Sequence, residues 1–189
     1  MYLSTSFLSN LLTIPIFLII IFILTKYWSY IFDDQIGDWN GVSIYSNKRY
    51  KNGGNIKNYY NGIYTGIKWQ CVEYARRYLI IKHGITFSEV ASAFEIPNAK
   101  FTTLNGDNVT ISNELQEGSL IIWPSYYKFN SPDGHVAVIS SILPNGITVV
   151  EQNYDTDTNN NTIHKFNNRF IPKYNIQNAT ILSFTPFLN

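Results

Sequence analysis

The first 25 residues carry no charged side chain, and their centre, "LLTIPIFLIIIFIL" (Leu11 to Leu24), is almost wholly apolar. A helix that is apolar all round cannot be covered by a small soluble domain. From Phe7 to Trp28 the run reaches about 20 residues, the length that crosses a bilayer as a helix. Tyr27, Trp28 and Tyr30 would lie at headgroup level with Lys26 snorkelling beside them, and Pro15 is tolerable in such a helix. A cleaved signal peptide is the second reading, but the stretch lacks a basic start and a small-residue cleavage site. A buried helix is the third. The expectation is a single-pass membrane anchor over residues 1–32, followed by one domain over 33–189. Lys26 and the Met1 amine give almost no charge asymmetry, so orientation stays open.

Lys26 is the only charge in the first 32 residues and accounts for the net charge of +1, so the domain itself is balanced. No basic run marks a nucleic-acid footprint. The single cysteine, Cys71, excludes a disulfide framework. Residues 33–61 read as an irregular arm anchored by Trp39, Val42, Ile44 and Tyr45, with "KNGGN" (51–55) as a loop. Cys71 to His83 reads as a helix with Val72, Ala75, Leu79 and Ile80 on its core stripe and Gly84 as the stop. Thr86 and Glu89 make a capping-box pattern that predicts a second short helix ending before Pro97.

The period then changes. "GSLIIWP", "GHVAVISSI", "GITVVEQN" and "ATILSF" are short, β-branched and bounded by Gly, Pro or Asn, which predicts antiparallel strands. Between the last two lies the polar "DTDTNNNT" (155–162). Its alternating aspartates look like part of a calcium loop, but no following glutamate completes one, and no metal is expected. Helices followed by strands make one α+β domain.

Cys71 sits where the helical stripe begins. A helix N-terminus favours negative charge, which suits a thiolate. An isolated cysteine on an apolar helix is also a common core residue. Gln70 precedes it, and its amide together with the Cys71 N–H would make an oxyanion hole. Three histidines could serve as the base. His83 lies about 18 Å along the same helix, where capping carbonyls suits it better, and His164 follows the polar loop. His135 heads a strand directly after Gly134, which leaves room for close approach. Glu151, sixteen residues on, would be its cross-strand neighbour if the hairpin turned about Leu143. The Asn145-Gly146 pair favours a later turn, a conflict that a bulge or longer loop would remove. Asn153 is the alternative orienting residue.

The blocks "NGIYTGIKWQCVEYARRYL", "GITF", "GSLIIW", "GHVAVI" and "VVEQN" resemble the amidase domain of glutathionylspermidine synthetase/amidase and trypanothione synthetase. That domain belongs to the CHAP group of papain-like cysteine, histidine-dependent amidohydrolases/peptidases. The resemblance runs from about Gly41 to Phe187. It implies a papain-like fold with helices packed on an antiparallel sheet, a Cys71 nucleophile, a His135 base and a Glu151 orienting acid. It also implies substrate contacts from Gln70, Arg76, Val90, Ala91, Ser92, Ala93 and Asn153, with Arg76 clamping a carboxylate. Apart from the resemblance, Arg76 and Arg77 read as solvated surface charges, either of which could pair with Glu73. The expected substrate is a glutathione–polyamine amide, with no cofactor. The residues to Asn189 show no Gly-rich phosphate loop, so ligase chemistry is not expected of them. A peptidoglycan amidase or endopeptidase and a non-catalytic binding module are the rival readings.

Overall fold

The computed structural model describes residues 15–24, 33–47, 55–125, 132–154 and 168–185. They fall into two units, Met1–Asp34 and Gln35–Asn189. In the first, residues 15–24 are helical (α1) and exposed. The rest of the expected bilayer-crossing run lies outside the described residues, as do the loops at 51–54 and 155–162 and His164. Among the described residues no helix is long and apolar enough to cross a membrane.

In the second unit, the stretch expected to be an irregular arm is two β-hairpins. β1 (Gln35–Trp39) pairs with β2 (Val42–Tyr45), and β3 (Lys57–Tyr60) with β4 (Ile63–Ile67). Each turns on an Asn-Gly pair in the left-handed region: Asn40 (φ 53) with Gly41 (φ 76), and Asn61 (φ 49) with Gly62 (φ 81). Those two dipeptides are the strongest short-range hairpin signal a sequence offers. Val42 and Ile44 do anchor the arm, both fully buried.

Helix α2 (Cys71–His83) runs between the expected limits, from Gln70 in extended conformation to Gly84 at φ 60. The Gly84 N–H reaches back to the carbonyls of Ile80 and Leu79 and closes the last turn. Ala75, Leu79 and Ile80 are buried as the stripe requires, whereas Val72 is partly exposed. The helix is covered on other sides too, because it packs against β2, β4, β5 and β9. Glu73, Arg76 and Arg77 are therefore buried, and neither arginine is a solvated surface charge.

The helix expected after Thr86 does not form there. Ile85–Phe87 is a strand (β5) paired with β6 (Phe101–Thr103), since burying Ile85 and Phe87 on one side suits period 2. The capping box is instead Ser92 with Glu95, opening a 3-10 helix over Ala93–Asn98 that contains Pro97. Among the described residues of this unit, one α-helix and this short turn, not a pair of α-helices, precede the main sheet.

That sheet has six strands in the order β11-β10-β9-β8-β12-β7, every neighbour antiparallel. Its members are β7 (Ile111–Ser112), β8 (Leu120–Trp123), β9 (His135–Leu143), β10 (Gly146–Val150), β11 (Arg169–Pro172) and β12 (Thr180–Phe184). Alternation splits the strands between two cores. Leu120, Ile122, Val136 and Val138 join Ala75 and Leu79 of α2. Ile121, Trp123, Ala137 and Ile139 join Ile147 and Val149 of β10 and Ile171 of β11. Burial on both faces is why these runs read as continuous apolar stretches.

The β9–β10 hairpin carries a bulge that removes only part of the register conflict, and the Glu151 side chain spans the remainder. Leu143 pairs with Gly146 across the two residues Pro144 and Asn145, and the register slips by one between Thr148 and Val149. The extra residue, Ser140, moves the far end of β9 toward the alignment that brings His135 to Glu151.

Candidate active site

The first intrahelical bond of α2 runs from the Tyr74 N–H to the Gln70 carbonyl, 3.2 Å. The N–H groups of Cys71, Val72 and Glu73 have no carbonyl within the helix to bond. Val72 N–H is turned to the Cys71 sulfur, and Val136 N–H joins it from β9.

His135 completes the surroundings. Gly134, at φ +66, lies against the Trp123 carbonyl and Phe94, where a Cβ would collide with both. That close approach sets the first residue of β9 at the rim of the sheet, with its ring stacked on Trp123 at 6.1 Å. The His135 Nε2 is 2.8 Å from Glu151 Oε2. Nδ1 is then the nitrogen left for Cys71, whose thiol hydrogen-bonds the ring. The chain Cys71–His135–Glu151 is continuous and almost closed to solvent, with Cys71 9 % and His135 5 % exposed.

Burial alone would push the Cys71 thiol up, but the adjacent imidazolium and the two backbone N–H groups outweigh it and hold the pKa below its ordinary value. Burial likewise pushes His135 down, yet the Cys71 thiolate and Glu151 carry it up to about 9. Glu151 would be raised by burial and is instead lowered, through hydrogen bonds from Arg169 and His135. Together these shifts favour a thiolate–imidazolium pair at neutral pH.

Asn153, in left-handed conformation at φ 54, does not reach the histidine. Its amide donates to Gln70 Oε1 at 2.5 Å. Between Glu151 and Asn153, Gln152 points the other way and is buried. Its Oε1 accepts from Tyr45 N–H (2.9 Å) and Arg77 Nη2 (3.0 Å), and its Nε2 donates to Glu73 Oε2 (3.0 Å). Glu73 also accepts from Arg77 Nε (2.7 Å), Thr65 Oγ1 (3.0 Å) and Asn58 Nδ2 (2.9 Å). This buried network ties the segment carrying Glu151 to the first turn of α2. The Glu73–Arg77 spacing foreshadows part of it, but nothing local in the sequence brings Gln152 in.

Arg76 is not open to solvent. It is 2 % exposed, with Nη1 donating to the Thr65 carbonyl (2.9 Å) and Nη2 to the Ser88 carbonyl (3.1 Å). Its Nε has no hydrogen-bond partner, so a carboxylate that entered this enclosed position would still find donors. Val90 to Ala93 comes close to the His135 end of β9 through Ser92 Oγ, which donates to Asp133 Oδ1 at 2.7 Å. Ala93 is 1 % exposed, so a ligand would meet the Val90, Ala91 and Ser92 portion. His83 is part-buried beside Tyr78 and Phe184, and its Nε2 has no hydrogen-bond partner, so that nitrogen caps no carbonyl.

A CHAP domain model matches residues 58–153, about half of the chain and inclusive of Cys71, His135 and Glu151. The chain belongs to the CHAP family. Its CHAP region is homologous to the amidase domain of bifunctional glutathionylspermidine synthetase/amidase from Escherichia coli (strain K12). The two are 33% identical over 129 residues, covering 60% of this chain and 21% of that protein. Trypanothione synthetase from Crithidia fasciculata is 28% identical over 122 residues, covering 60% and 18%. The chain thus spans about a fifth of the length of these relatives. Among solved structures, the N-acetylmuramoyl-L-alanine amidase from Staphylococcus aureus aligns with a TM-score of 0.46 at 14% identity, covering 64% of this chain and 32% of that one. The family match and the order of the strands make the second unit an α+β CHAP fold with an antiparallel sheet.

Proposed function

We propose that the chain is a cysteine amidase that hydrolyses a linear amide of the glutathionylspermidine type, releasing glutathione and spermidine. The observation that carries the reading is the hydrogen-bonded series Cys71–His135–Glu151 at the N-terminus of α2. Homology to a synthetase/amidase narrows the substrate.

The Cys71 thiolate attacks the amide carbonyl, and negative charge develops on its oxygen. The Cys71 N–H and the Gln70 amide, turned by Asn153, receive that charge where it develops. His135, protonated at the outset, gives its Nδ1 proton to the departing amine, leaving a thioester on Cys71. Water then enters. His135 takes its proton, hydroxide adds to the thioester, and collapse frees the acid and the thiolate. Glu151 keeps the ring oriented and stabilises its charged form throughout.

The test is incubation of the full chain with glutathionylspermidine, with purified peptidoglycan as the competing substrate and Cys71→Ala as the control. Release of spermidine by the wild type and not by the variant supports the reading. Cleavage of peptidoglycan alone would overturn the substrate. Cleavage of neither, with no iodoacetamide labelling of Cys71 near neutral pH, would leave a binding module.

A further inference from the structure

Glu151 follows the last residue of β10, so strand pairing does not fix where its carboxylate points. A glutamate has three side-chain torsions, and a hydrogen bond to one histidine nitrogen leaves the plane of the carboxylate undetermined. The structure supplies the missing constraint from β11. Arg169, the first residue of that strand, pairs with Val149 and so stands two residues from Glu151 across the ladder. Its Nε donates to Glu151 Oε1 and its Nη2 to Oε2 at 2.7 Å. Two roughly parallel bonds from a planar fork fix both the plane and the direction of a carboxylate, which a single ammonium cannot do.

The guanidinium is held in turn. Its carbon lies 3.8 Å from the centroid of the Tyr154 ring and 5.7 Å from that of Trp123. The same two rings flank His135, Tyr154 at 5.7 Å and Trp123 at 6.1 Å. Histidine, carboxylate and guanidinium therefore share one aromatic frame. We infer that Arg169 is a positioning residue, which presents Glu151 Oε2 to His135 Nε2 and so stabilises the thiolate–imidazolium pair. The inference rests on Cys71, His135 and Glu151 being the reacting groups proposed above. Arg169 lies outside residues 58–153, the stretch the family pattern covers.

Among the described residues, the titratable and charged groups facing His135 are Cys71 from α2, Glu151 beyond β10 and Tyr154, with Arg169 acting through Glu151. The experiment needs no substrate. The rate of Cys71 alkylation by iodoacetamide is followed against pH in the full chain, for wild type and for Arg169→Lys, which keeps the charge and loses the fork. In the wild type the midpoint lies below that of an ordinary thiol. In Arg169→Lys it rises by about one pH unit, because an unfixed carboxylate supports the imidazolium less. Arg169→Ala shows the same rise, and added guanidinium ion brings the midpoint back. A Lys variant that titrates like the wild type overturns the inference, as does an Ala variant that guanidinium leaves unmoved. If the wild-type thiol itself titrates as an ordinary cysteine, the amidase proposal fails and takes the inference with it. A low wild-type midpoint with an unshifted Lys variant removes the inference alone.

Discussion

Cys71 and His135 move in opposite directions, and the interval between them defines where the ion pair exists. The thiol is held below its ordinary value, and the imidazole is raised to about 9. Hydrolysis should therefore rise as Cys71 deprotonates and fall again as His135 loses its proton near that value, a bell in kcat/KM against pH. The linkage to stability carries two signs. His135, raised above its unfolded value of 6.5, stabilises the fold fully below 6.5 and loses that contribution as pH climbs through about 9. Cys71, lowered, contributes above its unfolded value of 9.0 and loses that contribution as pH falls through its folded value. Cys71 and Glu151 both raise His135, and Glu151→Gln removes the second of them, so the alkaline limb should shift to lower pH. Gln70→Ala removes one oxyanion donor and should lower kcat roughly 10²–10³-fold, with a much smaller effect on Cys71 labelling.

At the scale of elements, the site is assembled where three pieces meet: the start of α2, the start of β9 and the segment beyond β10. Gly134 lets β9 begin close to the Trp123 carbonyl. Gly134→Ala forces a Cβ into that contact at positive φ, and a loss of about 1–3 kcal/mol is expected, with His135 displaced. Denaturant unfolding and the pH profile of Cys71 labelling together check it. The second fastening is the fully buried Glu73, which accepts from Arg77, Gln152, Thr65 and Asn58. Glu73→Ala leaves the Arg77 guanidinium buried without its carboxylate, a change that typically costs about 3–5 kcal/mol. A midpoint of urea denaturation equal to that of the wild type would contradict this. The expected alternative helix after Thr86 failed because Ile85 and Phe87 bury on one side of a short strand, and tertiary burial outweighs a local capping pattern.

For the whole molecule, we propose that the charge-free N-terminal run tethers the CHAP domain to a bilayer. The composition of residues 1–25 supports it, and α1 over 15–24 is helical with its apolar side chains exposed. Deletion of residues 1–30 should release the protein from a membrane pellet to the supernatant. Continued sedimentation with membranes after that deletion would rule the tether out. With the tether in place, protease accessibility in sealed vesicles gives the orientation that the charge distribution leaves open.

Much of this was written locally. The α2 boundaries and the four long strands follow from periodicity and a terminal glycine, and the family resemblance singled out Cys71, His135 and Glu151 as the candidate site. The two N-terminal hairpins carried a signal in their Asn-Gly pairs, which the reading as an irregular arm passed over. What tertiary structure alone decided is how distant segments satisfy one another. The bulge at Ser140 shifts β9 by one residue toward Glu151, whose side chain then reaches His135, and Asn153 turns to Gln70 in place of the histidine. Arg76 is enclosed by main-chain carbonyls, and Arg169 reaches Glu151 from a strand separated from it in sequence. The two arginine contacts depend on burial that only the assembled sheet and helix create, because a charged group finds fixed partners where water is excluded. Sequence sets the reactive groups, and long-range packing sets their orientation.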